Sequence, residues 1–300
     1  MSGLSEAPDG EREGVTPAEA LSVVANETRL DIIEALHSAE ETPLRFSELF
    51  DEIDLADSAQ FNYHLKQLTG QYVRKTEDGY ELRFAGGQMV RAIRAGRFTE
   101  NPEIDPFEVQ GACTRCGGPL LAAYEDEQFG IDCAECGKAH SEYPFPPGGL
   151  ADRTPEEIAT AFDERVRHRH CLAADGVCPV CSGRMESEVT REDPCCLDVS
   201  VKVEHTCLQC GNELCSPVGF PLLDEGVVAA FYDDHGIDLT ARPYWTLPWC
   251  VDDAYITVES TDPWAVRVRI PAGDEELHVT LDEDLAVQTT RCVGCDTDDR

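Results

Sequence analysis

The chain has 300 residues, enough for two or three domains with hydrophobic cores of their own. Hydrophobic residues make up 42% and charged residues 28% of it, which excludes a wholly disordered or a fibrous protein. Its 59 Asp and Glu against 24 Lys and Arg give a net charge of −35. Because these acids are spread along the chain, we expect a halophilic protein whose hydrated carboxylates keep it soluble in concentrated salt. A specific function of an acidic tail is the competing interpretation.

The cellular location follows from two absences in the sequence. No run of about 18 apolar residues occurs, and the amino end has neither a basic region nor an apolar core for export. We therefore expect a cytoplasmic protein with no membrane partner. Since the cytosol is reducing and the count of 15 cysteines is odd, metal binding is favoured over a disulfide scaffold.

Helices and one hairpin are predicted for the first third of the chain. Residues 1–14 are predicted to form a disordered acidic tail. Helical periodicity then begins at Thr16 and Pro17, and a strong hairpin signal stands at Asp78-Gly79. The order of elements predicts a winged helix-turn-helix domain over residues 15–99, with an arbitrary small α+β domain as the alternative. The predicted elements are a helix from Pro17, a helix from Asn26 or Thr28, a helix over Ser47–Ile53, a helix from Asp57 or Ser58 to Gly70, strands over Tyr72–Thr76 and Tyr80–Phe84, and a helix over Gly87–Ala95.

A repeat follows the segment Asn101–Glu108, which holds two prolines and is predicted to be a linker. Two pairs of Cys-x-x-Cys motifs each precede a proline-containing run and a helical stretch, the first over Pro155–Arg167 and the second over Asp224–Asp233. This pattern predicts a tandem duplication of a zinc ribbon plus a helix, over residues 107–170 and 171–240.

An antiparallel β meander of three or four strands is predicted for residues 241–291. Apolar and polar residues alternate there between Asp-Pro and Ala-Gly-Asp turns, and no motif points to a chemistry. Residues 292–300 are predicted to form a C-terminal tail with a further Cys-x-x-Cys. The predicted fold class is α+β multidomain: a winged helix-turn-helix, two tandem zinc-ribbon and helix modules, and a small antiparallel β meander.

The paired Cys-x-x-Cys motifs predict two zinc sites. Two thiolates separated by two residues hold one face of a tetrahedral ion, and the glycine after the second cysteine lets backbone amides point at sulfur. A second such motif completes four thiolates, which leaves no open position for catalysis. For the first set, a redox dithiol and an iron–sulfur cluster are the alternatives. The predicted zinc ligands are Cys113, Cys116, Cys133 and Cys136 in one site, and Cys178, Cys181, Cys207 and Cys210 in the other.

The remaining seven cysteines receive weaker interpretations. Cys195 and Cys196 lie within the longer loop of the second set, as spare thiols or substitute ligands. The Cys292-x-x-Cys295 pair binds a metal across a dimer or has no role, and we favour the latter. Single cysteines are expected to be small buried hydrophobic residues. These are Cys171, Cys215 and Cys250.

A basic island stands out against the acidic chain. No acid occurs from residue 58 to 76 or from 82 to 99, and residues 58–99 hold seven Lys and Arg against three acids. These residues include the fourth helix and the hairpin, the elements that a winged helix presents to DNA. With Phe61, Leu65 and Leu68 inward, the opposite helix face carries groups that can contact base edges, and His64 falls near the core side. An ordinary solvated helix face is the alternative. The predicted DNA-binding residues are Ser58, Ala59, Gln60, Asn62, Tyr63, Lys66, Arg74, Lys75 and Arg83.

Two motifs resemble those of ArsR-type winged-helix regulators. Residues 25–33 (ANETRLDII) resemble the x-D/N-x-T-R-L-x-I-L start of that family's second helix, and residues 61–68 (FNYHLKQL) resemble its V-S-x-H-L-x-x-L recognition helix. The likeness covers residues 17–95 and is greatest to halophilic archaeal members. It implies a homodimer, formed by the first and last helices, that binds pseudo-palindromic double-stranded DNA.

The family's metal-sensing role does not carry over to this chain. Metal-sensing members place cysteines in the third helix, or His and acid pairs on the last helix. Residues 1–112 contain no cysteine, and residues 88–97 contain neither His nor acid.

These patterns favour a sequence-specific DNA-binding transcription regulator. Its C-terminal zinc-ribbon region is expected to bind a protein partner or small ligand, or to stabilise the dimer. One alternative is a protein-interaction scaffold whose winged helix binds protein. The other is an enzyme, a thiol oxidoreductase or a nucleic-acid-processing zinc enzyme, but no open metal position, thioredoxin-like unit or nucleotide-binding fingerprint occurs. We therefore expect no enzymatic activity.

Overall fold

The computed structural model describes residues 15–191 and 199–294. The chain forms two compact units, one ending at Thr99 and the other beginning at Glu100. Both combine helices with small antiparallel sheets, so the fold is α+β. None of the described helices has the length and apolar character that crossing a membrane requires. The predicted tail 1–14 and the cysteines Cys195, Cys196 and Cys295 lie outside the described residues.

Helices surround one hydrophobic core in the first unit. Ile32, Phe61 and Leu65 are almost completely buried in this core, which also takes in the start of the hairpin at Val73. The inward stripe predicted for the fourth helix is therefore confirmed. The elements are α1 (Pro17–Val24), α2 (Glu27–Ser38), α3 (Phe46–Asp51), α4 (Ser58–Leu68), β1 (Val73–Lys75), β2 (Tyr80–Leu82) and α5 (Phe84–Arg94).

Local capping explains where several of these helices begin. The Thr16 hydroxyl accepts a hydrogen bond from the Glu19 amide while the Glu19 carboxylate accepts one from the Thr16 amide, a capping box at the start of α1. Asn26 caps α2, and Asp57 caps α4. These short polar side chains satisfy amides that the first helical turn leaves unpaired, which is why the sequence locates these helix starts well.

The start of the last helix differs from the prediction. Helix α5 begins at Phe84, which was predicted to end a strand, and not at Gly87. The Arg83 amide still bonds the Tyr72 carbonyl, and the backbone becomes helical directly afterwards. Gly86 packs so closely that an added Cβ would lie 2.5 Å from the Tyr72 carbonyl oxygen. This glycine therefore serves close packing and does not mark the helix boundary.

Two antiparallel sheets in the second unit carry the predicted tandem modules. The first has the strand order β3-β4-β5-β6 and the second β7-β8-β9. A long helix, α6, follows the first sheet, and a shorter helix, α7, follows the second. Their bounds are β3 (Ile104–Ala112), β4 (Pro119–Glu125), β5 (Gln128–Cys133), β6 (Ala139–Pro144), α6 (Pro155–Ala174), β7 (Met185–Thr190), β8 (Lys202–Cys207), β9 (Glu213–Pro217) and α7 (Gly226–Asp234).

The predicted linker Asn101–Glu108 is wrong in its second half. Strand β3 starts at Ile104 and pairs with β4, and Phe107 and Val109 pack on the core. Pro106 lies where the register of this edge strand shifts, one of the places in a sheet that tolerate proline. Helix α6 is also longer than predicted, because residues 168–174 continue its buried face with His170, Cys171 and Ala173.

The C-terminal sheet has the strand order β10-β11-β12-β13, in agreement with the predicted meander. The first residues assigned to the meander are helical instead. They form a 3-10 turn over Tyr244–Thr246 and a short helix α8 (Pro248–Val251), and their aromatic side chains fill the core of the unit. The strands are β10 (Ile256–Thr261), β11 (Trp264–Ala272), β12 (Glu275–Asp282) and β13 (Val287–Val293).

Candidate metal centres and nucleic-acid interface

The first four predicted ligands come together at one end of the β3–β6 sheet. The Sγ atoms of Cys113 and Cys136 are 3.6 Å apart, and those of Cys116 and Cys133 are 3.4 Å apart. All four lie within 4.8 Å of one another. Sulfurs that bind one tetrahedral zinc ion at ~2.3 Å would be separated by about 3.8 Å. The cluster therefore has the size of a four-thiolate metal site.

Backbone amides surround the sulfurs of this first cluster. The amides of Arg115, Gly118, Glu135 and Cys136 each donate to a cysteine Sγ at 3.4 Å. The Cys136 amide lowers the pKa of its acceptor, Cys133, to about 6. Such donors stabilise the thiolate, which is the form that binds a metal ion.

The second four ligands repeat this arrangement. The Sγ atoms of Cys178 and Cys210 are 3.7 Å apart, and those of Cys181 and Cys207 are 3.5 Å apart. The amide of Cys210 donates to Cys207 and lowers its pKa to about 6. The four described cysteines complete a tetrahedral set by themselves, so this cluster needs no ligand from its long loop.

Each cluster is half buried. One cysteine of every Cys-x-x-Cys pair is buried and the other is exposed. A four-sulfur set of this kind closes the coordination shell of an ion and leaves no position for a substrate. What the arrangement can do chemically is hold two hairpins together. The single cysteines Cys171 and Cys250 are buried as predicted, whereas Cys215 is only half-buried.

A carboxylate that the sequence analysis missed fastens the first cluster to the rest of its unit. The Asp252 carboxylate accepts from the Thr114 hydroxyl at 3.0 Å and from the Lys138 ammonium at 2.8 Å. Burial opposes ionisation of Asp252, but Lys138 and the other donors hold the pKa of Asp252 below its ordinary value. The Lys138 side chain is only 6% exposed, so its charge depends on this partner. No motif marks Asp252, which is more than 100 residues away in the chain.

The predicted DNA-binding residues lie on α4 and the hairpin. Asn62 is half-buried, and the other eight are exposed. Tyr63 is 59% exposed, so its aromatic ring contributes little to the hydrophobic core. His64 is buried, and its Nδ1 has no hydrogen-bond partner among the described residues. The structure thus brings the predicted polar side chains to the surface and leaves His64 on the core side.

Intramolecular contacts engage part of the basic charge on the hairpin. The Arg74 guanidinium pairs across the strands with Glu81 at 2.6 Å, and Lys75 lies over the Tyr80 ring. Arg83 donates to the Gly70 carbonyl. Phe84 follows directly and is 78% exposed, a surface aromatic that the sequence analysis assigned to a strand. This face therefore has less unpaired positive charge than its count of Lys and Arg suggests. It also exposes an aromatic side chain that the sequence analysis had not placed at the surface.

Comparison with known families divides the chain in a similar way. A model described as a domain of unknown function (DUF7351) matches residues 110–287, more than half of the chain and all eight clustered cysteines. The chain belongs to this family. A second model, also described as a domain of unknown function (DUF7347), matches residues 17–93, which hold the helices and hairpin of the first unit. No curated protein and no solved structure matches the chain.

Proposed function

We propose that this chain is a DNA-binding transcription regulator. The first unit is a winged helix-turn-helix that reads double-stranded operator DNA, and the second unit contains two zinc ribbons. The observation that carries the proposal is the exposed basic island of residues 58–99, which includes α4 and the hairpin, in a chain whose net charge is −35. In such a chain, DNA phosphates are repelled from most of the surface and tolerated at this island.

The order and packing of the first unit support the winged-helix assignment. Helix α4 packs on α2 in one core, and the hairpin follows α4 directly. In winged-helix proteins the corresponding helix enters the major groove while the hairpin contacts the backbone. The resemblance of residues 25–33 and 61–68 to ArsR-type regulators points in the same direction.

The exposed side chains of α4 suit base recognition. Gln60 can form two hydrogen bonds with adenine, and Lys66 can donate to guanine. Tyr63 presents both an apolar ring and a hydroxyl. At the hairpin, Lys75 and Arg83 offer cations for phosphate contacts that position the protein without reading sequence.

The resemblance also supplies the proposed oligomer, a homodimer through the first and last helices. Leu21 on α1 and Phe98 after α5 are 60% and 68% exposed, which suits helices that meet a second copy. A dimer would place two α4 helices on the two halves of a pseudo-palindromic site.

Zinc is the proposed occupant of both cysteine clusters. Four thiolates are a common structural zinc set, and the spacing of the sulfurs fits one ion in each. The ion would supply folding free energy at the end of each sheet, where the two Cys-x-x-Cys turns meet. This role favours a structural metal over the thiol oxidoreductase alternative, because a redox dithiol needs no second pair beside it.

Exposed aromatic side chains favour a second candidate function. Tyr63 and Phe84 would also suit a protein partner, so the first unit could serve an interaction scaffold. Genome-wide DNA occupancy of a tagged chain in its host separates the two. The regulator predicts discrete sites that vanish in a Gln60→Ala, Tyr63→Ala double variant. The scaffold predicts no discrete sites, or sites that the double variant keeps.

A further inference from the structure

Exposed apolar side chains in the second unit are concentrated at the second cysteine cluster. Large hydrophobic residues are exposed at five described positions of this unit, and one of them, Val293, lies at the end of β13. The other four lie on the second cluster or on the segment that leads into it. We call these four the ribbon patch: Leu172, Val177, Val180 and Leu208.

Backbone contacts place the residues of the ribbon patch on adjacent segments. The Val177 amide donates to the Leu172 carbonyl at 2.8 Å, and Val177 forms a β-bridge with Arg184. The Arg184 carbonyl in turn accepts from the Leu208 amide at 3.0 Å. Val180 stands between Cys178 and Cys181 of the same cluster. The four exposed residues therefore lie on adjacent segments around one cluster, unlike singly scattered exposed residues, which would need no explanation.

The first cluster provides an internal control for this surface. Alignment of the Cys-x-x-Cys pairs places Ala112, Arg115 and Ala134 where the second cluster has Val177, Val180 and Leu208. The sulfur geometry of the two clusters is nearly the same, so the fold does not require large apolar side chains at these positions. The ribbon patch is a property of the second module alone.

The cluster also fixes the position of the patch. Val180 lies in one Cys-x-x-Cys turn and Leu208 in the other, and amides on both turns donate to the cysteine sulfurs. Such a surface is ordered before it meets a partner, which lowers the entropy cost of association.

Charges of both signs border the ribbon patch. Beside it lies a groove of about 560 Å³ lined by four carboxylates and by Arg184. Arg184 is exposed and is the residue whose carbonyl holds Leu208. The acids are Glu186, Glu188, Glu204 and Asp284.

We propose that the ribbon patch binds the ribbon patch of a second copy of this chain. A twofold axis through the patch would place apolar side chains against their own equivalents. The same axis would bring Arg184 of each copy toward the acidic groove of the other. Arg184 gives each copy a cation that can pair with a carboxylate of the other copy's groove, whereas elsewhere two chains of net charge −35 present mostly acids to each other. The assignment does not depend on DNA binding or on contacts made by the first unit.

Sedimentation equilibrium of the full chain, without DNA, tests this assignment. Val180→Asp and Leu208→Asp place charges in the centre of the patch, and Ala134→Asp is the matched control at the equivalent of Leu208 on the first cluster. The expected mass of the wild type and of the control is twice that of either patch variant. All chains in this test, including the one called wild type, carry Leu21→Asp and Phe98→Asp at exposed positions of the first unit, so that the mass ratio reports on the ribbon patch alone.

Two further variants keep the test decisive if an aspartate disturbs the cluster. Val180→Ser with Leu208→Ser is expected to halve the mass while the metal content per chain is unchanged. Arg184→Glu is expected to raise the dissociation constant of the association several-fold. Equal masses for the wild type and the serine double variant would overturn the proposal, and would assign the patch to a different partner, such as a segment with apolar and basic side chains.

Discussion

The two units of this chain differ in the residues that stabilise them and in the charge that they expose. The first has no cysteine, buries a core of aliphatic and aromatic side chains and exposes a basic island. The second holds all 15 cysteines and builds two small sheets around four-sulfur clusters. The difference teaches that one acidic chain can carry a basic island in one unit and its cysteines in the other, where eight of them form two four-sulfur clusters at the ends of small sheets.

If a metal ion stabilises only the second unit, replacing one cysteine ligand should destabilise the second unit and leave the first unit folded. This is the largest difference that we expect between the two units. Cys113→Ser is expected to lower the zinc content from two ions per chain to one and to unfold the first module. The reason is that structural zinc contributes on the order of 10 kcal/mol to folding of small modules. Elemental analysis and thermal unfolding check this prediction.

Cys171→Ser is the control, because this buried thiol belongs to neither cluster. It should keep both ions. Fewer than one zinc ion in the wild type, or an iron–sulfur absorption band, would contradict the assignment. A Cys113→Ser chain in which DNA binding disappears together with zinc would refute the proposed separation of the units.

Replacing Asp252 should lower the unfolding free energy of the second unit more than replacing an exposed acid does. Asp252→Ala leaves the buried Lys138 ammonium without its carboxylate and is expected to cost about 3 kcal/mol of the unfolding free energy. Chemical denaturation followed by a probe of the second unit measures this loss. Asp274→Ala, at an exposed carboxylate, should change the stability by less than ~0.5 kcal/mol. Equal effects of the two substitutions would show that the Lys138 pair does not anchor the first cluster.

A buried histidine predicts that the second unit loses stability in mild acid. His205 lies between the Ser187 and Ser216 hydroxyls, and burial lowers the pKa of His205 to about 4. In the unfolded chain the pKa is about 6.5, so the unfolded state takes up the proton first. The contribution of His205 is complete above about pH 6.5 and is lost as the pH falls toward 4, with about 2 kcal/mol gone at pH 5.

Replacement of this histidine tests the pH dependence. His205→Gln keeps hydrogen-bonding groups without a proton to gain, and it should reduce the slope of the unfolding free energy between pH 7 and 5. Part of the slope should remain, because burial also lowers the pKa of His140 and of His170. His168 is exposed, so His168→Gln should leave the pH dependence of the unfolding free energy as it is in the wild type. A slope that is identical in all three chains would exclude His205 as its origin.

The smallest expected effect belongs to the hairpin of the first unit. Lys75→Ala and Arg83→Ala should each weaken binding to all DNA sequences alike, by about 1 kcal/mol, and reduce the log–log salt slope by about 0.9 for each phosphate that is no longer neutralised. Fluorescence anisotropy of labelled duplexes measures both quantities. Arg291→Ala removes an exposed cation from the second unit and should change neither. A change of sequence preference in the hairpin variants would contradict their phosphate role.

How much of this structure the sequence predicts depends on how local each feature is. Helix caps and Cys-x-x-Cys spacing act within a few residues, so α1, α2, α4 and both clusters were located correctly. The start of α5, strand β3 within the expected linker and the Asp252 anchor depend on contacts between distant segments. Pro106 indicated a linker, yet an edge strand also accepts it. The ribbon patch was missed because apolar residues between cysteines give no periodic pattern.

Selection of DNA sequences by the full chain tests the central claim most directly. After enrichment from random duplexes, an anisotropy titration compares the selected and random sequences from moderate to molar potassium chloride. We expect an enriched sequence that stays bound in molar salt with a shallow salt slope, since a −35 chain gains little from phosphate contacts. Gln60→Ala with Tyr63→Ala should reduce that preference by more than tenfold, whereas Gln88→Ala on α5 should keep it. No enrichment, or binding that falls steeply until selected and random DNA are equal, would contradict the proposed DNA reading by α4.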